Sequence, residues 1–321
     1  MKLTSREKEI AEVLKKEPMI SQDDLALRFG ISRSSVAVHI SNLMKKGIIL
    51  GKGYVFNKKV SIVVVGQAYV EIKVREDADD TLIDMKSTGF ASEVGKALAA
   101  FGIQPKLITV VGNDDWGNQI LDDLKKLEVD IANIFRHPDK RTCKKIISNR
   151  GLYLAETYKQ MEYLQAIEAR EWVAFNCDWL IVEPEFQPFM IDRLNGREDK
   201  SPCVCGCWYA DKEIPAFLKY YGLLAMGVAD LQNDGFYIEK GQEFIAAGMK
   251  ECIISDGSTN MIWVNKTGMD DFSLLPNQTF NTETTMHLFL AGLVYGLSTG
   301  YPKRQAMRIA CSTAHAAGVK G

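Results

Sequence analysis

The sequence predicts two parts of different class: a small winged helix-turn-helix over residues 1–59, then a doubly wound α/β domain over 60–321. Charge marks the boundary, because the first sixty residues hold 12 Lys and Arg against 6 Asp and Glu while the remainder holds 27 against 35. Hydrophobic patterning marks it again. Before residue 60 the apolar spacing is helical and interrupted by capping residues, whereas SIVVVG, 61–66, is an unbroken apolar run ended by glycine, the usual opening of a buried strand in an α/β sheet. A chain of 321 residues with 46% hydrophobic content can build both cores.

In the basic part, Thr4 or Ser5 caps a first helix, REKEIAEVLKKE, with Ile10, Val13 and Leu14 on one face and Pro18 beyond its end. A second helix opens at Ser21, with Asp24 placed for a capping box, and stops at Gly30; its apolar residues are Leu25, Leu27 and Phe29. Ile31 and Ser32 introduce a third, RSSVAVHISNLMKK, closed by Gly47. The tight turn between the second and third is the helix-turn-helix arrangement, and IILGKGYVF around Gly51-Lys52-Gly53 reads as a hairpin, the wing. That turn lacks the spacing of a phosphate loop.

An excess of positive charge on such a module suits a polyanion. Docked in the usual way, the start of the third helix enters the major groove, so Arg33, Ser34, Ser35 and His39 face bases, with Arg33 favouring guanine. Lys45, Lys46 and Lys52 then contact phosphates. A module serving only as a protein-contact or dimerisation cap is the other reading.

Seven cysteines, an odd number, argue for reduced thiols. Cys203, Cys205 and Cys207 fall on one face of an extended segment. They either pack as small apolar residues or hold a metal with a fourth ligand from elsewhere. LFLAGLVYGL, 288–297, is apolar throughout with small Ala291, Gly292 and Gly296, as in a helix packed closely on all sides, and is far shorter than the roughly 20 residues of a membrane span. The charged start, MKLTSREKEI, offers no signal peptide, so a cytoplasmic location is expected.

The stretch NTETTMHLFLAGLVYGLSTG, 281–300, resembles the C-terminal signature of the PfkB (ribokinase-like) carbohydrate kinases, in which Asp-Thr-x-Gly-Ala-Gly-Asp enters a helix just before such an apolar run. The resemblance implies a ribokinase-like three-layer doubly wound sheet. It also implies that amides of the Gly-Ala-Gly hold the transferring phosphate and that the last Asp takes the proton from the sugar hydroxyl. On that pattern Asn281 and Thr282 stand at the Asp-Thr, Thr284, Thr285 and Met286 at the anion-hole Gly-Ala-Gly, and His287 at the catalytic Asp. From Gly66 the family's interval leads to Glu71 at the sugar-binding Asp. STGFASEVGKALAAFG puts Thr88 and Gly89 at the Gly-Gly pair and Glu93 at the substrate-binding Asn. Val111-Gly112, Asp114 and Gly117 follow the family closely, Thr142–Ile147 and Gly151–Thr157 stand where two strands of a lid would lie, and DWLIVEPEF is a core strand with its turn. Met226, Gly227 and Asp230 occupy the magnesium- and phosphate-associated Pro-Asn-x-x-Glu, and Ser255 and Gly257 the nucleotide-binding Thr-x-Gly. GISRSSVAVHISNLMKKGIILGKGYVF is similar to the winged helix fused ahead of some of these kinases, notably relatives of pseudouridine kinase.

The substitutions have physical weight. Close approach of backbone to an anion favours glycine, which two threonines and a methionine are not. Losing a general base typically costs about 10²–10⁴ in rate, and losing one anion-hole donor about 10²–10³. His287 is either a replacement base or a histidine at a helix start with no chemistry. Glu71 and Glu93 side by side would repel, so that one is protonated or a cation or amine lies between them, unless both are solvated in an open groove.

The expectation is a regulator that binds double-stranded DNA, whose second domain, lacking these groups, is a ligand-sensing or dimerising pseudokinase, a homodimer requiring no cofactor. The alternative is an ATP-dependent sugar or nucleoside kinase with a non-standard base, for which ATP and Mg2+ are needed. A third reading makes the domain a scaffold that pairs two winged helices on half-sites.

Overall fold

The computed structural model of this chain describes residues 4–17, 20–46, 49, 60–76, 81–149, 151–194, 202–211, 213–231, 235–276 and 278–318. They form two compact units that divide between residues 59 and 60.

The first unit holds α1 (Ser5–Lys16), α2 (Gln22–Phe29) and α3 (Arg33–Lys45). Thr4 caps α1: its hydroxyl accepts from the Glu7 amide at 3.2 Å while the Glu7 carboxylate accepts from the Thr4 amide at 2.7 Å, a reciprocal capping box. Ser21 and Ser32 cap the other two helices, and Gly30 ends α2 in the left-handed conformation, φ 62°, that glycine adopts without strain. Ile10, Leu14, Leu25, Val36, Ile40, Leu43 and Ile49 close one small core. Leu27 is 82% exposed, because a helical residue two places from buried Leu25 points to the opposite side. Lys46 donates to both oxygens of buried Glu7, at 2.8 and 2.6 Å, and so holds α3 to the start of α1 instead of standing free for a phosphate. The wing hairpin, with Gly47 and Lys52, lies outside the described residues.

The second unit begins with β1 (Ile62–Val65), the antiparallel pair β2 (Tyr69–Glu76) and β3 (Thr81–Thr88), and α4 (Phe90–Ala100). There follow β4 (Lys106–Ile108), β5 (Val110–Gly112), α5 (Asp115–Lys126), β6 (Phe135–His137), β7 (Lys144–Ser148) and β8 (Gly151–Ala155). Next come α6 (Gln160–Glu168), α7 (Glu171–Phe175), β9 (Trp179–Val182), α8 (Gln187–Leu194), β10 (Cys203–Ala210), β11 (Leu223–Val228) and α9 (Gly235–Ala246). The described chain ends with β12 (Glu251–Ser255), β13 (Asn260–Asn265), β14 (Gly268–Ser273), α10 (Thr282–Ser298) and α11 (Lys303–Gly318).

The main sheet runs β14-β13-β12-β11-β10-β9-β1-β4, parallel from β12 to β4 and antiparallel at the β13 and β14 edge. Alternation along β1 shows why it is three layers thick. Ile62 and Val64 face one core with α4, α10 and α11, while Val63 and Val65 face the other with α6, α7 and α9. The smaller sheet, β3-β2-β7-β8, contains the two expected lid strands. Helices α10 and α11 approach closely: a Cβ on Gly296 would fall 2.7 Å from the Ala306 Cα, which explains the small residues in the apolar run.

Candidate functional site

In an open α/β sheet, ligands lie beyond the carboxyl ends of the strands where the winding direction reverses. Here that point is β1, flanked by β9 and β4. Past its end, the Gln67 amide donates to Oε2 of Glu183 at 2.7 Å and the Gln67 side-chain amide to Glu185 at 2.7 Å. A Cβ on Gly66 would lie 2.9 Å from that same Glu183 oxygen, and Gly89, at φ 106°, lies directly over the Gln67 carbonyl. Burial pushes the Glu183 carboxyl up to about 7, with Glu185 adding to the rise and the Gln67 amide opposing it. Sequence reasoning missed Glu183; the signal was available, since an acid directly after a buried parallel strand falls on this edge of the sheet.

The two family-position carboxylates do not face each other unpaired. Glu93, in the first turn of α4, accepts from the Thr88 hydroxyl at 2.5 Å on one oxygen and lies 2.7 Å from Nε2 of His287 on the other. Burial alone would raise its carboxyl, but the bonds from His287 and Thr88 outweigh that and hold it at about 2. Glu71, on β2, has Lys86 at 3.4 Å and Lys73 at 3.9 Å. Of the alternatives left open for the two glutamates, none is required, because the chain itself sets Lys86 and Lys73 beside Glu71 and Thr88 and His287 beside Glu93.

The loop half of the signature is already helix. Asn281 caps α10, which starts at Thr282, and the Asn281 side chain accepts from the Thr284 amide at 3.0 Å. The Thr285 amide bonds the Asn281 carbonyl at 2.9 Å, and Met286 is one residue further in. Thr285 and Met286 are 7 and 3% exposed, and the Met286 side chain belongs to the core beside Phe289. Amides consumed by the first helical turn cannot also point at a phosphate.

On the nucleotide side, the Ser255–Gly257 turn is closed on itself. The Gly257 amide donates to the Ser255 hydroxyl at 3.0 Å, and Asp256 accepts from the Ser258 and Thr259 amides and the Thr259 hydroxyl. The space beside Gly257 is filled: a Cβ there would meet the Phe280 carbonyl at 2.1 Å and the Thr282 methyl at 3.0 Å. Thr282 also fills the space over Gly227 and donates to the Val228 carbonyl at 3.1 Å. Met226 is buried in β11, and Asp230 is exposed just beyond it. A separate cavity of about 340 Å³ lies between β14 and α11, with Leu275, Met307 and Cys311 in its walls. Cys203, Cys205 and Cys207 all sit on β10, where Cys205 and Cys207 are buried in the apolar core and the Cys205 thiol donates to the Cys203 carbonyl.

On α3, Arg33 and Ser34 are exposed, with Arg33 3.5 Å from Asp23, and Ser35 turns back to Ser32. His39 is half-buried with Nδ1 shielded from water, so it flanks the outer face instead of centring it. That face continues through Ala37, Val38 and Ser41, exposed residues that the helical period counted from Ser34 would have found. Lys45 is exposed.

Residues 3–49 match a winged helix-turn-helix DNA-binding family and residues 61–184 the pfkB family of carbohydrate kinases. The chain is 32% identical over 156 residues to YeiI of Escherichia coli strain K12, described as an uncharacterized sugar kinase. That match spans 46% of this chain and 43% of the relative, so the chain covers less than half of the relative's length. Among solved structures, a ribokinase from Thermotoga maritima is similar with TM-score 0.62 and 17% identity, over 81% of this chain and 93% of that one. A nucleoside kinase from Burkholderia thailandensis, in complex with inosine, is similar with TM-score 0.59 and 14% identity, over 79% and 90%. The fold is ribokinase-like α/β, preceded by a helix-turn-helix.

Proposed function

We propose that this chain is a DNA-binding transcriptional regulator whose ribokinase-like domain works as a ligand-sensing or dimerising pseudokinase. The observation that carries the proposal is the start of α10. With the helix beginning at Thr282 and Asn281 taking the Thr284 amide, the donors that would stabilise a transferring phosphate are spent inside the protein. Double-stranded DNA is the partner of α3, and a sugar or nucleoside the ligand expected at the Gln67, Glu71 and Glu183 end of the sheet. Pairing of two copies is supported by the small sheet: Ile83, Met85 and Leu154 share one of its faces through Ile72 and Ile146 and are 62, 50 and 39% exposed. The deciding experiment is coupled ADP release across sugars and nucleosides with ATP and magnesium. No turnover is expected; rates in the ordinary range of about 1–100 s⁻¹ would overturn the reading.

One observation favours the alternative, an ATP- and magnesium-dependent sugar or nucleoside kinase. Glu93 grips Nε2 of His287, as a carboxylate orients the imidazole of a general base, leaving Nδ1 as the basic atom. Were that correct, activity would fall with both His287→Ala and Glu93→Gln. A thermal-shift screen separates sensing from scaffolding: stabilisation by a sugar or nucleoside supports the first, a flat response the second.

A further inference from the structure

A groove of about 1310 Å³ runs between α4 and α11 and reaches the first turns of α10 at Leu288. Its walls are largely apolar, with Ala97 and Ala100 from α4, Phe101 capping the end of that helix, and Ile309 and Ala317 from α11. Its rim is cationic: Lys86 from β3, Lys96 from α4, and Arg304 and Arg308 one turn apart on α11. Among the lining residues Glu93 is the one carboxylate, and it is already engaged by His287 and Thr88. The Lys96 ammonium donates to the Ser87 carbonyl at 2.7 Å, and burial disfavours its charge. Lys86 lies 3.4 Å from Glu71 and Lys96 feels Asp123 and Glu93, whereas Arg304 and Arg308 bring two further positive charges to the groove with no carboxylate of α11 between them, and a bound anion relieves the repulsion among the four.

Apolar walls with a few convergent charges are the composition of a small-ligand site, and the volume is somewhat above the usual range of about 300–1,000 Å³. An extended peptide would need an open sheet edge, which a groove bounded by helices does not offer. We propose that this groove binds a small organic phosphate, its phosphate against Lys96 and Arg308 and its ring or apolar portion along Ala97, Phe101 and Ile309. The groove borders the cleft at Glu93 and Lys86, but the contacts proposed here, with Lys96, Arg308, Ala97, Phe101 and Ile309, use no residue of the Gln67–Glu183 edge, so the proposal holds whether or not that cleft transfers a phosphoryl group.

Arg304 and Arg308 also border the smaller cavity by β14, so the test uses residues peculiar to the groove. Titration calorimetry of the full chain with AMP is expected to show saturable binding at least about tenfold tighter than inorganic phosphate or adenosine gives, weakening as salt rises. Lys96→Gln should weaken AMP at least about tenfold, the loss of one charged hydrogen bond. Ala316→Trp and, independently, Ala100→Trp should abolish it, both positions being exposed so that the melting temperature stays put. The proposal is overturned if no AMP binding appears up to millimolar, if adenosine binds as well as AMP, or if binding survives the tryptophans. It is also overturned if an acidic helical peptide, and not AMP, binds in a manner the tryptophans block.

Discussion

Glu93 and Glu183 are two carboxyl groups whose environments push them in opposite directions, and each writes a limb of the stability profile. Glu93 is held at about 2, below its ordinary value, so its contribution is complete above pH 4.5 and drains away as pH falls toward 2. The shift corresponds to up to about 3 kcal/mol. Glu183 is raised to about 7, so the fold loses stability as pH climbs from 4.5 to 7 and recovers none above it. Denaturation midpoints measured between pH 3 and 8 should therefore flatten on the acid side in Glu93→Gln, whereas Glu183→Gln should be more stable than the parent chain at pH 8. An acid limb unchanged in Glu93→Gln would contradict this account. His287→Asp, which restores the residue type of related kinases, should place two acids together at Glu93 and destabilise by about 1–3 kcal/mol without turnover; a coupled assay and a denaturant titration check both halves.

At the scale of elements, α3 and α10 show how far local pattern reaches. Caps at Thr4, Ser21, Ser32 and Gly30 were legible because a capping group must sit within three residues of the amide it satisfies. The Lys46–Glu7 pair, 39 residues apart, was not, since nothing local tells which lysine folds inward. Lys46→Ala should accordingly lower the melting temperature of the first unit. Lys45→Ala should leave folding intact and reduce the salt slope of DNA binding by about 1, and Arg33→Ala should relax base preference at one position, both read from titrations at several salt concentrations. Equal slopes for Lys45→Ala and the parent would remove Lys45 from the phosphate contacts. For α10, the family signature located the helix but not its first residue. Asn281 is as good a cap as the aspartate it replaces, and threonines tolerate helical geometry that glycines resist. Restoring Gly-Ala-Gly over Thr284–Met286 should lower the melting temperature, chiefly through loss of the buried Met286 side chain, worth about 2–5 kcal/mol.

Across the whole molecule, the class of each unit was readable from charge and hydrophobic period, while the lid strands were placed only by the family resemblance. The cleft was only half readable, because Glu71, Glu93 and His287 were found as single departures while their partners Lys86, Thr88 and one another come from four separate elements. The proposed pairing of two copies at the small sheet makes a simple prediction: Ile83→Lys with Met85→Lys should halve the mass seen by light scattering and cost DNA affinity without altering the fold. A mass unaffected by the pair would place any dimer contact elsewhere. The bond between Glu93 and His287 has a last consequence, because it ties the start of one helix to the start of another some two hundred residues later. A visitor to that spot cannot simply arrive; it must trade places with the imidazole by offering Glu93 a hydrogen-bond donor of its own, as a sugar hydroxyl can. Occupancy would then be felt at both helices together, turning recognition into movement of the protein's own frame.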